Sequence, residues 1–549
     1  MSMRPLPVPQ IPVETVAVAR AAFPDGCLAI RLRDELGPVF QNADFVDAFA
    51  HRGGPSIPPG LLALVSVLQF AERLTDRQTA DAVRGRIDWK YALSLPLTDP
   101  GFDYSVLSQF RDRLIAAGME QAILDLVLVR CDELGLLRVG GRVRTDATHV
   151  LACIRDLNRL EFVTETMRCA LESLAAAAPD WLLAVGAVST EWVHRYGKRA
   201  DSYRLPKGEA ERAVFAVQVG ADGYRLLDLI DDPAAPRWLA TVPAVTVLRR
   251  AWDQQYRRDG KQVAWRDKKD LPPGTDRLVT PHDTDARCGV KRSTVWDGYK
   301  THYTETCDDD APHLITAVAT VPAPLDDSRR VSGVHAELAA AGRTPAEHFV
   351  DAGYTSALLI LEAADAGIDL VGPVPAAGGR QAHADNGYAL ADFGIDWVQQ
   401  QVTCPQGKIS TRWIDTKIDG QPRIHVDFYG VGCNICPAKA ACTTARYRGL
   451  TLHPRDQHET LTRRRVEQET PAWRDRYATR AGVEGTISQA VRHCHARRSR
   501  YRGLPKIRLE QVLVASAVNL VRLDAWWAGT PLGATRISHY ARLELELAA

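Results

Sequence analysis

The chain has 549 residues and a formal net charge of +1, with 46% hydrophobic and 25% charged residues. At about 150 residues per domain, this length predicts three or four domains or large insertions, and the composition is that of a protein able to bury sizeable cores. No run of residues reaches the roughly 18 consecutive apolar positions of a membrane span, which argues against a membrane protein.

The N-terminus and the cysteine count bear on the cellular compartment. The opening segment MSMRPLPVPQIPVETV has no apolar signal core, so we expect a cytoplasmic protein rather than an exported one. The 11 cysteines are an odd number in a long chain. In a reducing compartment they favour free thiols or a metal site over a disulfide framework.

Residues 1–135 have the pattern of short helices joined by tight turns. Residues 61–72 form an apolar run, and the sequence from Thr75 to Gln78 is a capping box that starts a further helix. In residues 102–114 the apolar side chains recur on one helical face. We predict a helix-turn-helix-like DNA-binding domain here, with a helical bundle that makes no DNA contact as the alternative.

Strand-like segments follow, and two of them carry isolated acids. Residues 141–152 are rich in β-branched side chains around Asp146, and residues 347–356 form a short apolar strand that ends in Asp351. Further strands are predicted at 298–307, 313–321 and 369–374. A stripe of apolar residues that includes Met167 recurs at helical spacing after the first strand, which predicts a helical insertion at about 155–265 with Met167 in its core. The fold class is therefore α/β.

Residues 476–508 form a strongly basic segment with one acid, Glu484. A surface that needs only to be soluble mixes both signs of charge, whereas a surface that binds a polyanion does not. We predict one long helix in which Tyr477, Arg480 and Glu484 share a face. Tyr477 would pack on a sugar or base, Arg480 would bind a phosphate, and Glu484 would bind a metal ion that acts on the phosphate.

Asp146, Asp351 and Glu484 together offer the hard oxygen ligands that suit Mg²⁺ or Mn²⁺. Strand ends at one edge of a sheet bring acids together despite long separations in sequence. The alternative is that the aspartates cap turns and Glu484 pairs with Arg480. Spacing alone leaves both interpretations open.

These segments resemble the bacterial insertion-sequence DDE transposases. The matching segments are RTDATHVLA around Asp146, HFVDAGYTS around Asp351, YATRAGVEGTISQAVR around Glu484 with the RRSRYRGLPKIRLEQVL that follows it, DTDARCGVKRSTVWDGYKTHYTETCD at 283–308, and the N-terminal FDYSVLSQFRDRL. Tyr477, Arg480 and Glu484 match a family signature that continues to a basic residue about seven positions beyond the glutamate. In this chain Val491 stands there and Arg492 follows it.

The resemblance implies a catalytic core of RNase H-like fold and a mechanism. Asp146, Asp351 and Glu484 would hold two Mg²⁺ or Mn²⁺ ions, which cut the strand at the element's end and transfer its 3′-hydroxyl to target DNA. The partners would be double-stranded DNA, as terminal inverted repeats and as target, and a second copy of the chain, because two ends must be joined. The protein would be nucleoid-associated when bound to DNA. The DNA-binding side chains would be those of Tyr477, Arg480, Arg492, Arg497, Arg498, Arg500, Arg502, Lys506 and Lys300.

Four cysteines cluster between residues 404 and 442: Cys404, Cys433, Cys436 and Cys442. A C-x2-C pair in a segment without an obvious core predicts a structural zinc ion, because thiolate ligation replaces hydrophobic burial. His425 is an alternative fourth ligand. Unligated thiols are the other interpretation.

The predicted organisation has four parts. They are a helical DNA-binding domain (1–135), the first part of a mixed-sheet core with its helical insertion (136–374), an irregular Cys-rich insertion (375–475), and C-terminal helices that complete the core (476–549). Two other functions are compatible with these residues. One is a DNA-binding relative without catalysis, and the other is a nuclease of the same fold that does not transfer strands.

Overall fold

The computed structural model describes residues 5–50, 52–54, 56–260, 262–376 and 387–530. The N-terminal part is helical, as predicted. Its helices are α1 (Val13–Ala22), α2 (Leu28–Leu36), α3 (Pro59–Ala71), α4 (Asp76–Gly85), α5 (Ile87–Ala92), α6 (Ser105–Ala116) and α7 (Ala122–Glu133). The predicted capping box is confirmed, since the Thr75 side chain accepts from the Gln78 amide and the Gln78 side chain accepts from the Thr75 amide. This exchange satisfies two of the free amides at the start of α4.

The central sheet and the helical insertion follow in chain order. Their elements are β1 (Arg142–Leu151), α8 (Arg159–Ala177), α9 (Pro179–Ala184), α10 (Thr190–Tyr196), α11 (Glu209–Asp231), α12 (Pro243–Gln255), β2 (Tyr256–Asp259), β3 (Gln262–Trp265), β4 (Arg287–Lys291), β5 (Thr294–Thr306), β6 (Ile315–Pro322), α13 (Val331–Ala340), β7 (Glu347–Phe349), α14 (Ala357–Asp365) and β8 (Asp369–Val371). The predicted strands are confirmed as β1, β5, β6, β7 and β8.

The central sheet is a mixed one of six strands. Its order is β4-β5-β1-β7-β8, and β6 also pairs with β5. The β1–β5, β4–β5 and β5–β6 pairs are antiparallel, whereas β1–β7 and β7–β8 are parallel. Most residues of β1 are buried on both faces. The architecture is thus mixed α/β, with helices covering a curled mixed sheet.

The helical insertion has its own core. Met167 is fully buried there, as the apolar stripe predicted, together with large side chains of α11 and α12 such as Trp252. The insertion ends in the β2–β3 hairpin rather than in helix. Asn158 caps α8 by accepting from the amides of the first turn.

The Cys-rich segment is more regular than the sequence predicted. It contains β9 (Gly394–Asp396), β10 (Gln401–Thr403), β11 (Arg412–Ile418), β12 (Gln421–Asp427), α15 (Lys439–Cys442), β13 (Gly449–Leu452) and α16 (Arg455–Gln468). Strands β11, β12 and β13 form a small antiparallel sheet. The prediction of irregular structure was wrong because β11 is mostly exposed and lacks apolar alternation. Residues 377–386 of the predicted insertion lie outside the described residues.

The basic segment is not one helix, which corrects the prediction. It comprises α17 (Pro471–Ala478), a 3-10 turn (Thr479–Ala481) and α18 (Gly482–Cys494), and after a loop α19 (Leu504–Trp527) follows. The backbone stays right-handed helical through the 3-10 turn, where Arg144 of β1 donates to the Thr479 carbonyl at 2.7 Å. Residues 531–549 of the predicted C-terminal part are outside the described residues.

Helix α19 joins the two halves of the molecule. Its buried face packs in one hydrophobic cluster with side chains of the N-terminal helices and of β5 and β6. Asn519 lies within this core, where its amide pairs with both the N–H and the carbonyl of Ile315. Among the described residues, no helix is both long enough and apolar enough to cross a membrane.

Candidate active site

The three predicted acids come from three different elements. Asp146 lies within β1, Asp351 lies two residues beyond β7, and Glu484 lies in the first turn of α18. Strands β1 and β7 are parallel neighbours in which Arg144 pairs with Phe349. Continuing this register places Asp146 level with Asp351.

One guanidinium lies among all three acids. Arg480 NH2 is 2.7 Å from Asp146 Oδ2 and 3.9 Å from Asp351 Oδ2. Its NH1 is 3.1 Å from Glu484 Oε1. The three carboxylates therefore surround a single cationic group, although 204 residues separate the first two acids (positions 147 to 350) and 132 the last two (positions 352 to 483).

The cluster of three acids and Arg480 is partly buried. Burial raises the pKa of Asp146, although the charge of Arg480 opposes this shift. Burial alone would lower the pKa of Arg480, but the surrounding carboxylates raise it. The Arg480 Nε is buried and has no hydrogen-bond partner among the described residues. Glu484 is 67% exposed in its side chain, so the cluster opens to solvent on the side of α18.

A buried ionic network positions α18 against the sheet. Glu305 of β5 is fully buried and accepts from Arg144 Nε at 2.6 Å, from Arg522 NH1 at 2.5 Å and from the Thr486 hydroxyl at 2.5 Å. These three partners belong to β1, α19 and α18, so one carboxylate joins the elements around the acids. Gly482 lies directly against the Arg144 guanidinium, where a Cβ atom would overlap it.

The turn that carries Asp351 is also braced. Asp351 Oδ1 accepts from the Gly353 amide at 2.8 Å. Tyr354, which follows, shares a 2.6 Å hydrogen bond with His302 Nδ1. Burial lowers the pKa of His302 to about 4, so this histidine is neutral at physiological pH.

Lys300 lies beside this turn. Its Nζ donates to Asp327 Oδ1 and to the Leu325 carbonyl, each at 2.7 Å, and its side chain is 13% exposed. Both bonds hold the ammonium group within the protein. His149, on the neighbouring strand, packs its ring 5.5 Å from that of Trp296.

The predicted DNA-binding side chains of the C-terminal segment divide into two sets. The first set is exposed and forms no ion pair with any described residue; its members are Arg492, Arg497, Arg498 and Arg502. The second set makes internal contacts: Arg500 donates to the Leu74 carbonyl at 2.7 Å and lies over the Phe70 ring, and Lys506 pairs with Asp112 at 2.8 Å. Arg497 and Arg502 each also donate one hydrogen bond through Nε, to Thr148 Oγ1 at 2.9 Å and to the Cys153 carbonyl at 3.1 Å. The Lys506 pair lies at the surface, so Arg500 is the side chain of these six that the N-terminal part holds most closely.

A 3-10 turn separates the helix that carries Tyr477 from the helix that carries Glu484. The Tyr477 ring stacks on Trp473 with centroids 4.8 Å apart, and its hydroxyl donates to the Val350 carbonyl at 3.2 Å. Tyr477 therefore contacts the segment that leads to Asp351.

The four clustered cysteines line one cavity of about 280 Å³: Cys404, Cys433, Cys436 and Cys442. The pKa of Cys442 is raised by burial and by the proximity of the other three thiols. His425, the alternative ligand, instead contacts Asp427 at 3.1 Å and is not among the residues of that cavity. The donor set that faces the cavity is thus four thiols.

Among the described residues, one trio of metal-binding atoms lies within 4.8 Å of one another, and it belongs to Glu165, Cys169 and His282 of the helical insertion. Glu165 already accepts from Arg168, from the Ala200 amide and from His282. These donors satisfy the carboxylate without an ion. Neither the three acids nor the four thiols are as closely grouped, so both sets would have to contract around a metal.

Several residues around the acids were not predicted from the sequence. Glu305, Arg144 and Arg522 form the buried network, His302 shares a hydrogen bond with Tyr354 in the turn after Asp351, and Asp327 pairs with Lys300. Glu305 lies near the end of β5 between two threonines and carries no local signal of burial. Its partner Arg522 lies 217 positions away.

Two family models match the chain. A transposase DDE domain matches residues 403–524, and a transposase domain (DUF772) matches residues 22–113. The first match includes the four clustered cysteines and Glu484, whereas Asp146 and Asp351 lie outside the matched residues. A comparison with curated proteins finds no match. The two matched domains, at opposite ends of a chain whose middle holds the mixed sheet, support a transposase function and the resemblance to the bacterial insertion-sequence DDE transposases.

Proposed function

We propose that the protein is a DNA transposase that binds the ends of an insertion sequence, cleaves phosphodiesters there and joins the resulting 3′-hydroxyl ends to target DNA. Asp146, Asp351 and Glu484 are the proposed catalytic acids. The observation that carries this proposal is their convergence on the Arg480 guanidinium.

The sheet supports an RNase H-like core. In the order β6-β5-β1-β7-β8, β5 is antiparallel to both of its neighbours, and β1, β7 and β8 are parallel. Two of the acids follow from adjacent parallel strands, which is where acids of distant sequence meet. In the N-terminal part, α3 and α4 are joined by four residues, which supports a helix-turn-helix-like DNA-binding domain.

The donor set fits two Mg²⁺ or Mn²⁺ ions. Carboxylate oxygens are the ligands that these hard cations prefer, and the cluster already holds one positive group at its centre. Bound there, the ions supply activation of the attacking oxygen and charge neutralisation at phosphorus. Arg480 pairs with all three carboxylates, and its guanidinium could pair with a DNA phosphate instead.

The exposed cations extend the site along α18 and the loop after it. Arg492, Arg497, Arg498 and Arg502 would contact the phosphate backbone and position the scissile bond beside the acids. Arg497 is held for this role, because its Nε donates to Thr148 Oγ1 at 2.9 Å on the strand that carries Asp146. Positioning of this kind supplies a large part of catalysis in phosphoryl transfer.

The four thiols fit a structural zinc ion. Tetrahedral ligation by Cys404, Cys433, Cys436 and Cys442 leaves no position open for substrate, so the ion would stabilise the small sheet and take no part in chemistry. We further propose that the protein acts as a homodimer, because two element ends must be joined, and that it works on DNA in the cytoplasm, where it associates with the nucleoid.

Cleavage of DNA that carries the sequences flanking the coding region tests this function. Wild type should cut at the element ends in the presence of Mg²⁺, and Asp351→Asn should lose activity by at least about a thousandfold, because one metal ligand is removed. Asp365→Asn is the matched control, since this aspartate is exposed at the end of α14 and forms no ion pair with a described residue.

A second substrate separates transposition from simple cleavage. A pre-cut end with a free 3′-hydroxyl is supplied together with a plasmid, and a transposase joins the two. Cleavage without joining would indicate a nuclease. Equal activity of wild type and Asp351→Asn would remove Asp351 from the site, and binding without either reaction would indicate a DNA-binding relative.

A further inference from the structure

The β4–β5 hairpin ends in an exposed tip. Val290 pairs with Val295 and Lys291 pairs with Thr294, which leaves Arg292 and Ser293 as a two-residue turn. All six residues of this tip, 290–295, are exposed. The family models leave the tip outside their matched residues.

The tip presents an apolar pair to solvent. Val290 and Val295 lie directly opposite each other and are 68% and 65% exposed. Successive side chains of a strand point to opposite faces, so these valines lie on the face opposite Trp296. Trp296 is buried against Gly289, where no larger residue would fit, and beside the His149 ring. The face of the hairpin that carries Trp296 is therefore packed against the protein, and the face that carries Val290 and Val295 is exposed to solvent.

The turn residue Arg292 has an unfavourable backbone conformation. Arg292 has a φ of +55°, in the left-handed region that glycine and asparagine occupy far more readily than arginine. A residue kept in such a conformation suggests that its side chain has a use. Neither Arg292 nor Lys291 forms an ion pair with a described residue, so both charges face solvent.

The hairpin is anchored beside the strand that carries Asp146. Trp296, which follows Val295, lies with its ring 5.5 Å from that of His149, three positions beyond Asp146 on β1. Arg497 donates to Thr148 Oγ1 at 2.9 Å on the same strand. The hairpin and Arg497 thus both contact β1 within three residues of Asp146.

We infer that this tip inserts into a groove of duplex DNA beside the scissile phosphate, with Val290 and Val295 wedged against the base pairs and Lys291 and Arg292 on the flanking phosphates. A two-stranded ribbon fits a DNA groove, and apolar wedges unstack base steps at protein–DNA contacts. Local unstacking would free the strand end for the acids. This inference rests on the proposed function, because it requires DNA at the acid cluster.

Binding to a short labelled duplex of arbitrary sequence tests the wedge. Wild type should bind a duplex with a small mismatched bubble more tightly than the intact one, since the bubble spares the energy of unstacking. The double variant Val290→Ser, Val295→Ser should bind the intact duplex about tenfold more weakly and lose the preference, because two apolar side chains are removed. The double variant Val193→Ser, Val214→Ser, which changes exposed valines of the helical insertion, should bind as wild type does.

The salt dependence of DNA binding tests Lys291 and Arg292 separately from the valines. Lys291→Gln and Arg292→Asn should each reduce the slope of log affinity against log salt concentration by about 0.9, as expected for the loss of one phosphate contact. Asparagine tolerates the left-handed turn, so the hairpin of Arg292→Asn should keep its thermal stability.

Three results would overturn the inference. Valine variants that keep wild-type affinity and bubble preference, while wild type still cleaves DNA, would exclude the wedge and leave the proposed function intact. Sedimentation that shows the valine variants dissociating a DNA-free dimer would make the tip an interface between copies. Wild type that binds no DNA would remove the proposed function and the wedge with it.

Discussion

Replacing Gly482 by alanine is a direct test of how the fold positions Glu484. Gly482 begins α18, and a Cβ atom there would overlap the Arg144 guanidinium. That guanidinium donates to the Thr479 carbonyl at 2.7 Å and to Glu305 at 2.6 Å. Gly485 lies one turn further along the same helix and has open space around it. The two glycines therefore form a matched pair.

The expected effects have opposite signs. Gly485→Ala should raise the free energy of unfolding by up to about 1 kcal/mol, the difference in helix propensity. Gly482→Ala must displace Arg144 from Glu305, whose side chain is 0% exposed. Removing one partner of a buried ion pair typically costs about 3–5 kcal/mol. Because Arg522 still pairs with Glu305, we expect the lower end, about 3 kcal/mol.

Urea unfolding of wild type and both variants measures this difference, and Mg²⁺-dependent DNA cleavage measures its effect on the site. Gly482→Ala should also lower cleavage, because the start of α18 carries Glu484. The reasoning fails if Gly482→Ala is as stable as Gly485→Ala, since Arg144 would then not be held against this helix.

Three further predictions concern other groups. Burial raises the pKa of Glu510 from 4.5 to about 7, so the neutral carboxyl group favours the folded state. The free energy of unfolding should therefore fall by up to about 3 kcal/mol as the pH rises from about 5 to about 7. Urea titrations of Glu510→Gln should show no such fall. Arg480→Gln removes the cation between the acids, so millimolar Mg²⁺ should raise its melting temperature more than that of wild type or of the exposed control Arg474→Gln; equal shifts would contradict the assignment. Cys436→Ser should lower the zinc content, measured by plasma mass spectrometry, from about one ion per chain, and an unchanged content would exclude this cysteine as a ligand.

Local patterns were enough to predict much of the fold. The apolar run at 61–72 is α3, the β-branched segment around Asp146 is β1, and the apolar stripe around Met167 is a buried face of α8. The capping box at Thr75 starts α4. Each of these signals lies within one element, because periodicity and capping depend on residues that are close in sequence.

The Cys-rich segment and the basic segment show where local patterns fail. Strand β11 is mostly exposed, so its sequence lacks the alternation of apolar and polar residues that predicts a strand. The single helix predicted for the basic segment ends at Cys494, because His495 takes a left-handed conformation there. At Thr479 the carbonyl accepts from Arg144, which lies 335 positions earlier. Arg500 was predicted to bind DNA, but its guanidinium donates to the Leu74 carbonyl in the N-terminal part of the chain.

The α/β class, the resemblance to DDE transposases and the choice of candidate acids could all be read from the sequence, because motifs and periodicities are local. Only the tertiary structure decided that Asp146, Asp351 and Glu484 surround one guanidinium, and which arginines of the basic segment face solvent. Both depend on contacts between residues hundreds of positions apart. Such contacts follow from the parallel pairing of β1 with β7 and from the buried ion network at Glu305, which packs α18 onto the sheet.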